Sequence, residues 1–219
     1  MERQQLAGMI DHTLLKPEAT AQQVEQVCAD AARYGFASVC VSPTRVGLVA
    51  ELLAATPVLA CCVIGFPSGA HLAEIKAAEA ARAVAQGAQE LDMVIDLGGL
   101  LDGGGAAVER EVAAVRAEAA DAAALKVIIE SAALDDDQIV VACEAAVAGG
   151  ADLVKTSTGF HPAGGASTHA VALLRATVGT DVGVKASGGI RSYEDAVAMV
   201  EAGASRLGMS AGVAVVTGG

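Results

Sequence analysis

Eight short apolar segments, separated by longer Ala-rich segments with a helical pattern, constrain the fold of this chain more than any other feature. Most of the short segments are continuous apolar runs, which is typical of parallel strands covered on both faces. The spacing leaves room for one helix between successive strands. The predicted strands are Ile10–Leu14, Ser38–Val41, Leu59–Ile64, Leu91–Asp96, Leu125–Glu130, Leu153–Thr156, Val182–Ala186 and Arg206–Met209.

Glycines and polar caps mark the ends of the intervening helices. Thr20 with Gln23 forms a capping-box pattern, and Ser192 is followed three residues later by Asp195. A glycine after a helical pattern supplies the left-handed residue that turns the chain into the next strand, as at Gly35, Gly87, Gly150 and Gly203. We expect the glycine-rich stretches 103–105 and 164–165 to form turns in the loops that follow strands.

Eight successive βα units favour a closed, parallel (β/α)8 barrel, the TIM-barrel fold, with an open doubly wound sheet as the alternative. The chain has 219 residues and no shift in composition, so we expect one barrel domain over residues 1–219. Aromatic residues make up only 2% of the sequence. The core must therefore be built from aliphatic side chains.

The charge of the chain excludes several classes of partner. The formal net charge is −12, which argues against binding to nucleic acid or to an anionic membrane surface. An anionic ligand would then be held locally, by backbone N–H groups. The five cysteines form no C-x-x-C pair, and no apolar run is long enough to cross a bilayer. We expect a cytoplasmic protein with reduced thiols.

Three ionisable residues interrupt apolar strands, two of them at the end of a strand and the third inside a strand. They are Lys155, Lys185 and Asp92. In a barrel, ligands bind at the carboxyl ends of the strands, so polar groups at these positions are candidates for function. A single lysine in a strand is more often a surface residue whose amine reaches solvent. That reading weakens here, because both lysines follow an apolar run and precede small residues and glycine.

Two interior ammonium groups need an anion nearby, and Asp92 is available. Burial and a second ammonium both lower the pKa of a lysine, which predicts a neutral amine able to form an imine with a carbonyl. A purely structural Lys–Asp–Lys network predicts the same residues without chemistry. The residues alone do not show which lysine is the nucleophile.

Glycines that follow the late strands predict a phosphate site. Gly159, Gly188 and Gly189 allow backbone N–H groups to point at an anion near a helix N-terminus, and Ser210 follows the last strand. Barrels commonly place a phosphate site after their last two strands. The sequence has neither a G-x-G-x-x-G motif nor a Walker loop, so nucleotide binding lacks support.

The remaining candidates have weaker patterns. The four histidines lack metal-ligand spacing, so we expect no metal site. Asp11 and Thr13, on the first strand, either cap the strand end or bind substrate hydroxyls. Cys40 lies inside the second strand and is more often a small buried apolar residue than a reactive thiol.

The chain resembles the deoxyribose-phosphate aldolases along nearly its whole length, from Asp11 to Val216. The motifs that carry the resemblance are Asp11-His12-Thr13-Leu14-Leu15-Lys16-Pro17, Gly65-Phe66-Pro67, Leu91-Asp92-Met93-Val94-Ile95, Leu125-Lys126-Val127-Ile128-Ile129-Glu130, Val154-Lys155-Thr156-Ser157-Thr158-Gly159-Phe160 and Val184-Lys185-Ala186-Ser187-Gly188-Gly189-Ile190-Arg191.

The resemblance implies a TIM barrel that reversibly cleaves 2-deoxy-D-ribose 5-phosphate to D-glyceraldehyde 3-phosphate and acetaldehyde without a cofactor. It assigns the imine to Lys155 and proton transfer to Lys185 and Asp92, and it places Cys40 near the substrate. Two alternatives stay open: a barrel isomerase with Asp92 as base, and a sugar-phosphate sensor without turnover. The oligomeric state is not fixed by the sequence, and a homodimer is the working expectation.

Overall fold

The computed structural model of this chain describes residues 1–119 and 124–218. Eight parallel strands pair in chain order, and the first also pairs with the last, so the sheet closes into a barrel. The predicted fold class is confirmed. The strands are β1 (Ile10–Leu14), β2 (Ser38–Val41), β3 (Leu59–Ile64), β4 (Glu90–Val94), β5 (Ala124–Ile128), β6 (Leu153–Lys155), β7 (Gly183–Ser187) and β8 (Arg206–Met209).

Helices surround the barrel and connect its strands, and a 3-10 turn at Ser131–Ala133 follows β5. The helices are α1 (Arg3–Ala7), α2 (Ala21–Tyr34), α3 (Pro43–Leu53), α4 (Ala73–Ala85), α5 (Leu97–Gly103), α6 (Gly105–Glu118), α7 (Asp136–Ala148), α8 (Thr168–Val178), α9 (Tyr193–Glu201) and α10 (Gly212–Thr217). None of the helices in the described ranges is long and apolar enough to cross a membrane.

Strands β1, β2, β3 and β8 have the bounds that the sequence predicts, whereas β4 to β7 differ by one or two residues. The predicted fourth and fifth strands run too far, to Asp96 and Glu130, because their apolar runs continue after the chain has left the sheet. Asp96 instead lies at the N-cap position of α5, without a side-chain capping hydrogen bond, and Glu130 precedes the 3-10 turn.

The predicted helix signals are largely confirmed. Thr20 and Gln23 form a reciprocal capping box at α2, as do Ser192 and Asp195 at α9. Gly35 ends α2 in the left-handed conformation, with φ 70° and ψ 42°. The expected turn over residues 103–105 is wrong in extent, since α5 includes residue 103, α6 begins at residue 105, and Gly104 alone separates them.

The aliphatic core lies between the barrel and the helices. Strand residues that point outward, such as Leu91, Val127 and Val154, pack there with buried helix residues such as Val112 and Leu174. Because side chains alternate along a strand, the residues between them point into the barrel. Several of those inward residues carry charge.

Candidate active site

A cluster of charged side chains fills the inside of the barrel. Asp92 on β4 lies opposite Lys126 on β5, and Lys155 on β6 lies opposite Lys185 on β7. All four are buried. The strand register therefore brings two predicted lysines and the predicted carboxylate together, with Lys126 beside them.

Asp92 is the centre of this cluster. Its Oδ2 accepts hydrogen bonds from Lys155 Nζ and Lys185 Nζ, each at 2.6 Å, and its Oδ1 accepts one from Lys126 Nζ at 3.0 Å. Three ammonium groups thus converge on one carboxylate. Cys61 Sγ also lies 3.2 Å from Asp92 Oδ1.

A second layer of charge lies towards the amino ends of the strands. Asp11 accepts a short hydrogen bond from Lys185 and a second from Arg206 Nη1 at 2.7 Å. Glu90 lies 2.6 Å from Lys126 Nζ and 3.0 Å from Arg206 Nη2. These contacts link all the charged groups inside the barrel into one network.

The network holds two carboxyl groups in their ionised form. Burial alone would raise the pKa of Asp92, but Lys126, Lys155 and Lys185 hold it well below its usual value. Burial would also raise the pKa of Asp11, and Lys126, Lys185 and Arg206 lower it instead. Both side chains are therefore acceptors for ammonium groups at neutral pH.

The expected lowering of the lysine pKa values is wrong for Lys185. Burial would lower the pKa of Lys185, but Asp11 and Asp92 together raise it. The pKa of Lys126 is raised for the same reason, by Asp11 and Asp92 against the effect of burial. These two lysines stay charged, so neither supplies the neutral amine.

Charge balance and access distinguish Lys155 from the other two lysines. It contacts one carboxylate, Asp92, whereas Lys126 and Lys185 each contact Asp92 and Asp11. With every group charged, this network has one cation in excess, since its four basic side chains face three carboxylates: Lys126, Lys155, Lys185 and Arg206 against Asp11, Glu90 and Asp92. Of the three interior lysines, Lys155 is therefore the one that carboxylates hold least.

A pocket of about 300 Å³ opens at the carboxyl ends of the strands, above this network. Of the three interior lysines, Lys155 lines this pocket, and Lys126 and Lys185 do not. Ser187 and Thr158 also line it, and their hydroxyl groups donate hydrogen bonds to Ser157 O and to the Glu130 carboxylate. An amine at the base of a mouth pocket can attack a carbonyl carbon, with a charged carboxylate–ammonium pair directly behind it.

The rim of the pocket is electropositive. Its charged lining residues in the described chain are Lys16, Lys155 and Arg191, and no carboxylate lines it there. Lys16 and Arg191 are exposed. In a chain with a net charge of −12, this is a local reversal of sign. The pocket therefore favours an anionic ligand, and basic side chains supplement the backbone N–H groups that the sequence predicts.

Most of the predicted substrate-binding residues face this pocket. Those that line it are Thr13, Gly159, Gly188, Gly189 and Ser210. Gly165, expected to form only a turn, packs against the same wall: a Cβ there would lie 2.3 Å from the carbonyl oxygen of Gly188. Only glycine permits this approach of the two loops.

Asp11 and Cys40 do not line the pocket. Asp11 is fully buried below Lys185, so it contacts the lysine rather than the pocket. Cys40 is also fully buried, beside Cys61 on the neighbouring strand. A hydrogen bond from Cys61 lowers the pKa of the Cys40 thiol. Their roles toward substrate stay predictions.

Cys40, Cys61 and Asp92 place three atoms of metal-ligating type within 4.8 Å of one another. Both oxygens of Asp92 already accept hydrogen bonds from ammonium groups. A divalent cation there would lie beside Lys126, which is 3.4 Å from Cys61 Sγ. The cluster is therefore better suited to ammonium groups than to a metal ion.

Sequence reasoning missed Lys126, Glu90 and Arg206 as parts of the network. Lys126 has the same signal as the other two lysines, a basic residue in an apolar strand. Lys126 is the second residue of its predicted strand, as Asp92 is of the neighbouring one, and the two residues pair in the sheet. The signal that marks Asp92 therefore applies to Lys126 as well. Glu90 and Arg206 open their strands, where the sequence does not distinguish an inward charge from a surface charge.

A closed parallel barrel with a lysine amine at the base of its mouth pocket, backed by an ionised carboxylate, defines a lysine-dependent aldolase. The comparisons with known proteins agree. The chain belongs to the DeoC/LacD family of aldolases, whose sequence model matches residues 6–217.

Individual relatives are similar over almost their full length. A deoxyribose-phosphate aldolase from Kocuria rhizophila is 57% identical over 216 residues, which cover 99% of this chain and 97% of the relative. One from Lysinibacillus sphaericus is 55% identical, with 98% and 96% covered. Among solved structures, a tetrameric deoxyribose phosphate aldolase from Aeropyrum pernix is similar, with a TM-score of 0.92, 38% identity, and 99% and 91% covered.

Proposed function

We propose that this protein is a class I aldolase that reversibly cleaves 2-deoxy-D-ribose 5-phosphate to D-glyceraldehyde 3-phosphate and acetaldehyde. The observation that carries the proposal is the position of Lys155, which lines the pocket while its amine contacts Asp92. The similar proteins from Kocuria and Lysinibacillus bear the name of this activity.

The reaction begins at Lys155. Its neutral amine attacks C1 of the open-chain sugar aldehyde, and loss of water gives an iminium ion. The iminium withdraws electrons from the C2–C3 bond. The C3 hydroxyl gives its proton to a water molecule or carboxylate organised by Asp92 and Lys185. The C2–C3 electron pair then moves toward the iminium, the bond breaks, glyceraldehyde 3-phosphate leaves, and an enamine stays on Lys155.

Asp92 and Lys185 handle the protons of these steps. Asp92 accepts hydrogen bonds from both lysines through one oxygen, so a proton that leaves Lys155 has a short path into the network. The Lys185 ammonium lies beside the atoms on which charge develops during these steps. Its positive charge stabilises the negative charge that forms there. Protonation of the enamine at C2 and addition of water then release acetaldehyde and restore Lys155.

The far end of the substrate carries the phosphate. Lys16 and Arg191 at the rim attract it, while the N–H groups near Gly188 and Gly189 and the hydroxyl of Ser210 hold it. Fixing the phosphate places C1 at Lys155 and reduces the entropic cost of reaction. The chemistry needs no cofactor, because the lysine itself is the electron sink.

Borohydride reduction tests this proposal directly. With acetaldehyde or the sugar phosphate present, the imine should be reduced to a stable amine, and mass spectrometry should find the adduct on Lys155. The chain has five lysines, so the modified peptide identifies the site. An unmodified protein, with no cleavage of the sugar phosphate, would favour a barrel isomerase or a sensor. An adduct on Lys185 would reverse the two roles.

Three further expectations accompany this function. We infer one barrel domain over residues 1–219, a cytoplasmic location and assembly as a homodimer. The strands from Ile10 to Met209 support a barrel that occupies most of the chain. Light scattering on the purified protein measures its mass, and a monomer or tetramer would contradict the homodimer.

A further inference from the structure

Glu130 has the most unusual backbone conformation among the described residues. Its φ and ψ are 56° and 52°, the left-handed region, and every other described residue with positive φ is a glycine. A side chain with a Cβ is unfavourable there. Glu130 is also only 4% exposed. An observed outlier of this kind persists where the surrounding contacts outweigh its cost.

The contacts of Glu130 are directed to one segment. Its Oε2 accepts a hydrogen bond from Thr158 Oγ1 at 2.6 Å, and its Oε1 accepts one from the Thr158 N–H at 3.2 Å. Thr158 Oγ1 in turn accepts a hydrogen bond from the Phe160 N–H at 3.0 Å. One carboxylate therefore orders the chain over residues 158–160.

This segment forms a wall of the pocket, three to five residues beyond Lys155. Its other side faces a second cavity of about 140 Å³, which Glu130, Thr158 and Phe160 also line. Phe160 in this wall packs edge to face against Phe66, with ring centroids 5.2 Å apart, and the Glu130 carboxylate is the polar anchor at Thr158. Nearer the strand, backbone hydrogen bonds hold the chain, as from Ser131 N–H to Thr156 O at 2.7 Å. From Thr158 onward, hydrogen bonds to the Glu130 carboxylate hold the chain instead.

We propose that Glu130 is a positioning residue, whose carboxylate holds residues 158–160 in the shape that receives the phosphate-bearing end of the substrate. The left-handed backbone aims the side chain at Thr158. This inference rests on the function proposed above. It predicts that loss of the carboxylate weakens binding of the long substrate and spares imine formation with acetaldehyde, which occupies only the Lys155 end of the pocket.

Glu130→Gln is the first test. The amide keeps one acceptor oxygen but offers an NH2 group to the other donor, so one hydrogen bond to Thr158 is lost. We expect KM for the sugar phosphate to rise about tenfold, with a smaller change in kcat. The rate of borohydride trapping with acetaldehyde should stay as in the wild type.

Thr158→Val and Thr158→Ser test the other partner. Valine removes Oγ1 and should raise KM as Glu130→Gln does, whereas serine retains the hydroxyl and should restore it. The double variant Thr158→Val with Glu130→Gln should raise KM by less than the product of the two single increases, because both substitutions break the same contact. Ser131→Ala is the matched control: its buried Oγ has no hydrogen-bond partner in the described structure, so KM should not change.

Two further variants separate the backbone from the carboxylate. Glu130→Ala and Glu130→Gly both lack the acceptor, but only glycine tolerates the left-handed conformation without strain. Glu130→Gly should therefore melt at a higher temperature than Glu130→Ala, while both show the same increase in KM. A KM that follows the melting temperature instead would mean that Glu130 acts only through stability.

Hydrogen exchange provides a readout that does not depend on the substrate. In Glu130→Gln, the amides of Thr158 and Phe160 should exchange about tenfold faster than in the wild type. Unchanged exchange and a wild-type KM would overturn the positioning role. If the wild type neither forms the adduct nor cleaves the sugar phosphate, the proposed function fails, and the exchange rates still decide whether Glu130 orders the segment.

Discussion

Lys155 and Lys185 donate hydrogen bonds to the same oxygen of Asp92, each from 2.6 Å. Two ammonium groups that share one acceptor repel each other, so the deprotonation of either one relieves that repulsion. Lys185 has Asp11 as a second partner, and Lys155 has none. Lys155 also lines the pocket, so the lysine with a single carboxylate partner is the one that faces a ligand.

We expect Lys155→Ala and Lys155→Arg to abolish cleavage and trapping alike. Arginine keeps the positive charge but stays protonated and cannot form the imine. Turnover should fall by about three orders of magnitude or more, as for the loss of other covalent nucleophiles. Steady-state kinetics and mass spectrometry measure both effects, with circular dichroism as the control for folding. Near-normal activity of either variant would refute the assignment.

Removal of Lys185 should slow the reaction without preventing the imine. In Lys185→Leu we expect kcat to fall about 10²- to 10⁴-fold, the range for lost acid–base assistance. Slow trapping on Lys155 should persist. Steady-state kinetics and borohydride trapping measure the two effects. Normal turnover, or a complete loss of trapping in a folded variant, would refute this division of roles.

Gly189→Asp tests the phosphate site by charge. A carboxylate near the start of α9 repels phosphate, so KM for the phosphorylated sugar should rise about tenfold or more relative to unphosphorylated deoxyribose. Gly189 has φ 85° and open space at its Cβ position, and Gly189→Asn is the neutral control with the same shape. Equal losses in the two variants would attribute the effect to the backbone.

Acid should unfold the protein through its interior carboxylates. Asp11 and Asp92 have lowered pKa values in the folded state, so their stabilisation is present above their unfolded pKa and is lost as pH falls below about 4. Each of these two carboxyl groups lowers the free energy of unfolding by about 1.4 kcal/mol for every pH unit below that point. Glu111, whose pKa is raised by burial, changes the free energy of unfolding in the opposite direction as the pH falls. Urea unfolding from pH 5 to pH 3 measures the slope, and Asp11→Asn should reduce it.

Much of this structure could be predicted because its signals are local. The bounds of β1, the capping box at Thr20 and Gln23, and the turn at Gly35 each depend on residues close together in the chain. The equivalent positions of Lys155 and Lys185 in their strands could also be predicted from the residues next to each lysine. These features require no knowledge of the neighbouring strands.

The pKa values could not be predicted, because they depend on how many carboxylates face inward from distant strands. Asp11 meets Lys185 across 174 residues of sequence, and Glu90 meets Lys126 across 36. The sequence predicts an interior with two lysines and one aspartate. That set of charges would lower the pKa values of both lysines. With Asp11 added to the interior beside Asp92, the direction of the Lys185 pKa shift reverses.

The pairing of β1 with β8 makes the chemistry a property of the finished fold. Arg206 on the last strand neutralises Asp11 on the first, and Asp11 in turn holds Lys185. A nascent chain that has not yet closed its ring lacks this network, because Asp11 and Arg206 lie on the two strands whose pairing closes the barrel. The proposed site is therefore complete only when the last strand has joined the first.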